Sequence, residues 1–152
     1  MNSLSKIQRL KDEGKIVGFT ASTFDVLHAG HIAMLAEASA SCDFLIVGLL
    51  VDPTKDRPDK KSSPVQSVFE RWVQVQAVEY VDLIIPFETE KDLEDMILLL
   101  MPTVRFVGEE YKGTEHTGHD IEGVEIIYNK RRHSFSSSEL RKRIHERGLN
   151  DN

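Results

Sequence analysis

A single cysteine, Cys42, stands among 152 residues, which excludes an intrachain disulfide and points to a reducing compartment. No apolar run approaches the roughly 20 residues of a membrane span, and the N-terminus lacks the apolar core of a signal peptide. A cytoplasmic location with no membrane partner is therefore expected. Excess positive charge is missing as well: the formal net charge is -6, which argues against a general nucleic-acid binder. There is no internal repeat and no low-complexity tract. What is present is an ordinary globular composition, 40% hydrophobic and 29% charged, at a length that fits one domain with a sizeable core. Its positive charge concentrates in residues 55–61 and 130–143. Such clusters suggest a small anionic ligand, although solvated surface charge is the commoner fate of a basic run.

The stretch 20–35, TASTFDVLHAGHIAML, organises the rest. It follows a short apolar run and leads into helical spacing at Ile32, Leu35 and Ala36, which predicts a strand, a turn and a helix start. His28 and His31 stand three apart in the turn, with Gly30 between them. Small residues at 29 and 30 let the backbone come close to a ligand. The helix N-terminus offers unpaired N–H groups and a positive dipole end, both suited to a phosphate. These features predict a phosphate-handling site. Two alternatives stand beside it: a metal-ligating histidine pair, which would need at least one further ligand, and ordinary histidines at a helix start.

Taken in order, the chain opens with an amphipathic helix over 3–13, with Leu4, Ile7 and Leu10 on one face and Gly14 to end it. A strand is predicted over 16–21, a helix over 29–41, and a strand buried on both faces over 44–51, together a βαβ unit. Residues 52–64 are a charged, proline-bearing loop that leaves the carboxyl end of a strand, where open α/β sheets place ligands. A helix over 66–79, a strand over 80–86 and a helix over 89–101 follow, the last begun by Thr89 and stopped by Pro102. Trp72 falls at a core position, and Arg71 read alone is a surface salt-bridge residue or a ligand group. A fourth strand spans 104–107, a loop with His116 and His119 spans 112–123, and a fifth strand spans 124–128. Ser136 and Glu139 are spaced as a capping box that starts a last helix, ending near Gly148, with Leu140 and Ile144 toward the core. Three serines at that helix start, preceded by Arg131 and Arg132, make a second phosphate cradle.

TFDVLHAGH resembles the signature of the cytidylyltransferase-like nucleotidyltransferases, G-x-F-D-x-x-H-x-G-H, with Ser22 in place of the first glycine. The resemblance runs from Ile16 to about Ile144. It implies one α/β domain over residues 1–152, an open, mainly parallel five-stranded sheet of Rossmann-like (HUP-type) fold, with residues 1–14 as an added helix. It implies catalytic roles for His28, His31, Lys60 and Arg131, and nucleotide contacts from Thr23, Phe24, Asp25, Gly30, Glu109, Ser136 and Ser137. Acceptor contacts would come from Lys61, Arg71 and Asp82. No protein metal site is implied; Mg²⁺ would come with the nucleoside triphosphate. The resemblance favours CTP and glycerol 3-phosphate, closest to glycerol-3-phosphate cytidylyltransferases, in a homodimer. The chain departs from that branch at Glu79, where an arginine is usual, and at Ser134, where a glycine is usual. The loop before Arg71 and its K-x-S-S-P-V stretch are similar to the adenylyltransferase half of heptose-phosphate enzymes, which makes ATP with a sugar 1-phosphate the alternative. A non-catalytic nucleotide-binding module is the third reading.

Overall fold

The computed structural model describes residues 2–151. Its elements are α1 (Ser3–Asp12), β1 (Val17–Ser22), α2 (Ala29–Ala40), β2 (Phe44–Leu50), α3 (Val68–Gln76), β3 (Leu83–Phe87), α4 (Glu90–Leu100), β4 (Val104–Gly108), a 3₁₀ turn (Glu109–Tyr111), β5 (Glu125–Asn129) and α5 (Ser137–Asn150). The five strands run in the order β3-β2-β1-β4-β5, and each neighbouring pair is parallel. The chain builds outward from β1 to β3, then returns to the other side of β1 for β4. That reversal leaves a crevice at the carboxyl ends of β1 and β4, the place where open parallel sheets bind ligands.

Both faces of the sheet are covered, which is why β2 is buried along its whole length. On one face Ile7 of α1 and Leu93, Met96, Ile97 and Leu100 of α4 pack against Phe19, Ile46 and Leu50. On the other, Leu35 and Ala38 of α2 and Val75 of α3 pack against Leu45, Val47, Leu49 and Phe106. Strand alternation decides the side: Val104 and Phe106 point to the α2–α3 face, so Arg105 between them points to the α1–α4 face. Lys11 ties the added first helix to the sheet's α4 layer by donating to the carbonyls of Leu100 and Met101, both at 3.2 Å. These are the unpaired carbonyls at the end of α4, where a cation is favourable.

Three boundaries differ from expectation for local reasons. Helix α3 begins at Val68 because Ser67 is its N-cap. Ser67 accepts from Glu70 N, and Glu70 accepts from Ser67 N in return. Gln66, expected inside the helix, spends its backbone N–H on Asp25. Strand β3 begins at Leu83 rather than residue 80, because the backbone still turns through Val78–Val81. Helix α5 continues past Gly148 and has no buried residue. Leu140 is half-buried and Ile144 is 58% exposed, so neither faces a core. What holds α5 is its first two turns, where Ser137 and Arg141 both bind Asp25.

Candidate active site

The turn between β1 and α2 is wound tightly enough to place two non-glycine residues, Phe24 and Val26, at φ +52° and +50°. Such conformations cost on the order of 1 kcal/mol or more each and persist where the surroundings over-determine them. Here they do. Phe24 is fully buried in the core. Asp25, almost as buried, accepts the backbone N–H groups of Val65 (2.8 Å) and Gln66 (2.9 Å) and pairs with the Arg141 guanidinium. Burial alone would raise the Asp25 carboxyl, but the two backbone donors and Arg141 outweigh it and hold it below its ordinary value. One carboxylate thus fixes the turn, the approach to α3 and the start of α5 together.

His28 is the N-cap of α2, and its Nδ1 accepts from Gly30 N at 3.0 Å. His31 reaches back to accept from His28 N through its own Nδ1 at 3.3 Å. Two rings whose Nδ1 atoms both accept carry their proton on Nε2 when neutral. His28 Nε2 then donates to Ser137 Oγ (3.2 Å), which donates to the Asp25 carbonyl (3.1 Å). The rings stack with centroids 3.9 Å apart. Burial, then the field of His28, pushes His31 down to about 4. Burial, with His133 and Arg131 nearby, also lowers His28. At neutral pH the pair therefore presents two uncharged imidazoles. A Cβ at Gly30 would lie 2.9 Å from both His28 Cε1 and His133 Cε1, so glycine is what lets these rings converge.

The start of α5 closes the same space. Ser136 caps the helix by accepting from Glu139 N at 3.0 Å. Arg131 donates to the carbonyl of Phe135, and its backbone N–H is held by Glu109 Oε1 at 3.2 Å. The histidines, Gly30, Thr23, Arg131, Ser136 and Ser137 all line one cleft of about 780 Å³.

Other expected ligand groups lie elsewhere. Phe24 sits beneath His31, ring centroids 5.3 Å apart, and does not line the cleft. Glu110, not Glu109, faces the cleft, and in the loop after β2 it is Lys61 and Arg57 that line it, not Lys60. Arg71 is fully buried and donates to the carbonyls of Gln66, Thr23, Leu50 and Val51, so it fastens the carboxyl ends of β1 and β2 instead of facing a ligand. Asp82 lies at the amino end of β3, across the sheet from the cleft, where Oδ2 accepts from Leu45 N at 2.8 Å. Neither side chain lines the cleft.

The cleft also holds groups that no motif announced. His133 joins the histidine pair and stacks on Phe135 at 4.9 Å; in the sequence it is one more member of a basic run. A second lobe lies over α4 and β2, walled by Leu50, Phe87 and Leu93 and by Arg57, Glu90, Arg105, His116 and Thr117. Glu90 clasps two loops there, pairing with Arg57 Nη2 (3.1 Å) and accepting from Thr117 Oγ1 (2.7 Å). A charged residue in mid-strand, as at Arg105, was the available signal for this lobe. Among the described residues no three His, Cys, Asp or Glu side chains converge as a metal cage. No helix among them is long and apolar enough to cross a membrane.

Comparison with known proteins agrees with this geometry. Bifunctional protein HldE of Rhodopseudomonas palustris (strain BisB18) is 38% identical over 118 residues, covering 76% of this chain and 24% of the relative. HldE of the same species, strain TIE-1, is 35% identical over 144 residues, 93% of this chain and 29% of the relative. The chain thus spans about a quarter of the curated relatives it matches. Among solved structures, the lipopolysaccharide core biosynthesis protein from Thermoplasma volcanium superposes with TM-score 0.56 at 24% identity, covering 89% of this chain and 90% of that one. Pantothenate synthetase from Thermus thermophilus superposes with TM-score 0.59 at 17% identity, covering 94% and 69%; at such identities these likenesses speak for the fold alone. The family profile described as Cytidylyltransferase-like matches residues 19–143, and with the histidine turn at the carboxyl end of a parallel sheet, the chain belongs to the cytidylyltransferase-like family of nucleotidyltransferases.

Proposed function

We propose that the protein transfers a nucleotidyl group from ATP to a phosphorylated sugar and releases pyrophosphate. The observation that carries the proposal is the convergence of the stacked His28–His31 pair and the α5 N-terminus on one cleft. An oxygen of the acceptor phosphate attacks the α-phosphorus, the new P–O bond forms as the bond to the β-phosphate oxygen breaks, and pyrophosphate leaves with that electron pair. No covalent enzyme intermediate is needed. Catalysis is then positioning plus stabilisation of charge on the transferring group. His31 donates from Nε2, and His28 exchanges Ser137 for a phosphate oxygen. Arg131, Ser136 and the free N–H groups of α5 hold the far phosphates, and Lys61 takes the part expected of Lys60. Mg²⁺ would arrive with the triphosphate and be held mainly by phosphate oxygens and water.

ATP and a sugar are preferred to CTP and glycerol 3-phosphate on two grounds. The relatives are HldE proteins, and the K-x-S-S-P-V loop is similar to heptose-phosphate adenylyltransferases. Arg71 and Asp82, the acceptor contacts implied by the glycerol-phosphate branch, are committed to backbone groups. The signature itself and the family's description favour the cytidylyl reading. A homodimer in the cytoplasm belongs to the same proposal, supported by Phe69 and Val73, one turn apart on α3 and 73% and 48% exposed; sedimentation of wild type against Phe69→Lys tests it. Function is tested by incubating the protein with ATP or CTP against sugar 1-phosphates and glycerol 3-phosphate and measuring pyrophosphate. Release with ATP and a sugar 1-phosphate supports the proposal; release with CTP and glycerol 3-phosphate alone replaces it.

A further inference from the structure

Arg105 is a buried cation with no ion-pair partner among the described residues. It is 7% exposed, sits in the middle of β4 and lines the second lobe of the cleft. Its side chain makes one hydrogen bond among the described residues, from Nη1 to the carbonyl of Thr117. No carboxylate pairs with it there: Glu90, whose field reaches it, is engaged by Arg57 and Thr117. Arg71 is the useful contrast, because that guanidinium is met by four backbone carbonyls. Its other four N–H groups have no protein partner among the described residues and are not sealed from solvent, so they are free to meet a group that enters the cleft. Two polar atoms of the same lobe, Arg57 Nε and His116 Nδ1, are buried with no partner among the described residues.

The position of Arg105 separates it from the reacting phosphates. Its backbone is level with Phe19 of β1, three residues before the end of that strand at Ser22, or on the order of 10 Å short of the histidine turn. Its side chain lies on the α4 face, since the Cβ position at Gly118 is bounded by Arg105 Nη1 and by Ile97 of α4. The histidines open the helix that packs on the opposite face. The group that Arg105 meets is therefore not the phosphate on His28 and His31.

We infer that Arg105 binds a second anionic group of the acceptor, a carboxylate or a further phosphate, carried at the end away from the phosphate that reacts. This rests on the transferase proposal and deepens it: the preferred acceptor is acidic at both ends. Bidentate geometry suits either anion. Lys61 and Arg57 on the rim add to the attraction, Glu90 and Glu115 oppose it, and the buried, unpaired Arg105 decides the balance. Fastening Thr117 occupies a single N–H and leaves the rest of the fork turned to the cleft.

The test compares glucose 1-phosphate with glucuronic acid 1-phosphate and glucose 1,6-bisphosphate as acceptors, in wild type and in Arg105→Leu, by pyrophosphate release with saturating nucleotide. Wild type should use at least one acidic acceptor about 10- to 100-fold better in kcat/KM, the scale of a charge-assisted hydrogen bond. Arg105→Leu should remove that advantage through the acceptor KM, leaving the neutral acceptor and the nucleotide KM nearly unchanged. Which acidic acceptor responds separates carboxylate from phosphate. Equal or poorer use of both acidic acceptors by wild type overturns the inference without needing the variant. So does an Arg105→Leu loss that is the same for neutral and acidic acceptors, the mark of a structural role. Turnover with neutral acceptors alone leaves the transferase proposal standing and removes only this one; pyrophosphate release with no acceptor of any kind removes both.

Discussion

Replacing His31 with Asn should flatten the acid limb of the protein's stability profile. In the folded protein His31 titrates at about 4, against 6.5 for an ordinary histidine. The fold therefore favours the neutral ring, and the unfolded chain takes up a proton first as the pH falls. The stability this represents is complete above 6.5, is lost between 6.5 and about 4, and changes no further below. A difference of about 2.5 between the two values corresponds to roughly 3 kcal/mol, at about 1.4 kcal/mol for each pH unit. Asn keeps a side-chain acceptor in reach of His28 N, the bond His31 Nδ1 makes at 3.3 Å, but does not titrate. Urea unfolding at pH 7, 6, 5 and 4.5 should show wild type losing about 2–3 kcal/mol more than His31→Asn over that span. His28, whose value is also lowered, and Asp25, held below the carboxylate range, remain in both proteins. Their contributions cancel in the difference; that of Asp25 is lost only as the pH falls through its depressed value. Parallel profiles for the two proteins would show that His31 is not held neutral by the fold.

Three further substitutions probe the frame around the site. Arg71→Met should destabilise by about 3 kcal/mol or more in denaturant melts, because it orphans carbonyls at the ends of both β1 and β2; an acceptor KM effect with unchanged stability would return Arg71 to ligand binding. Gly30→Ala should lose activity while the fold survives, since the added methyl meets two imidazoles at 2.9 Å at about 1–3 kcal/mol, partly offset by the better helix propensity of alanine; full activity would show that the rings part freely. Ser136→Ala should cost about 1 kcal/mol of stability through its lost cap, in addition to weakening nucleotide binding. Ser137→Ala should act on turnover by freeing His28 Nε2, without that melting loss; equal melting losses for the two would argue against this division.

What was legible from the chain alone was whatever local chemistry decides. The first strand, the turn and the α2 start follow from residues 16–36, and the structure builds them at Val17–Ser22 and Ala29–Ala40. Ser136 is readable as a cap because a cap needs only its own helix. The α3 boundary was also there to be read, as Ser-Val-Phe-Glu at 67–70, a capping box. Arg71 and Asp82 were not. Whether an arginine meets a ligand or four carbonyls depends on where distant strand ends fall, and whether a strand-end aspartate faces the cleft depends on which end of the strand it occupies. Lys60 and Lys61 differ by one position in a loop without periodicity, so no pattern separates them. Ile144 has helical spacing, but spacing says only which residues share a face, not that a partner covers it. Arg105 and His133 reach the cleft through the sheet order and the α5 approach, neither of which is encoded within a few residues of them.

On the proposed mechanism the nucleotidyl group is transferred at the histidine turn. Single-turnover release of pyrophosphate, followed for wild type and for His28→Ala and His31→Ala under saturating triphosphate and acceptor, is the decisive measurement. Wild type should show triphosphate- and acceptor-dependent release, and each variant a rate lower by about 10²–10³, the scale for losing one donor to the transition state, with nucleotide still bound. Near-normal single-turnover rates in both variants would contradict that mechanism.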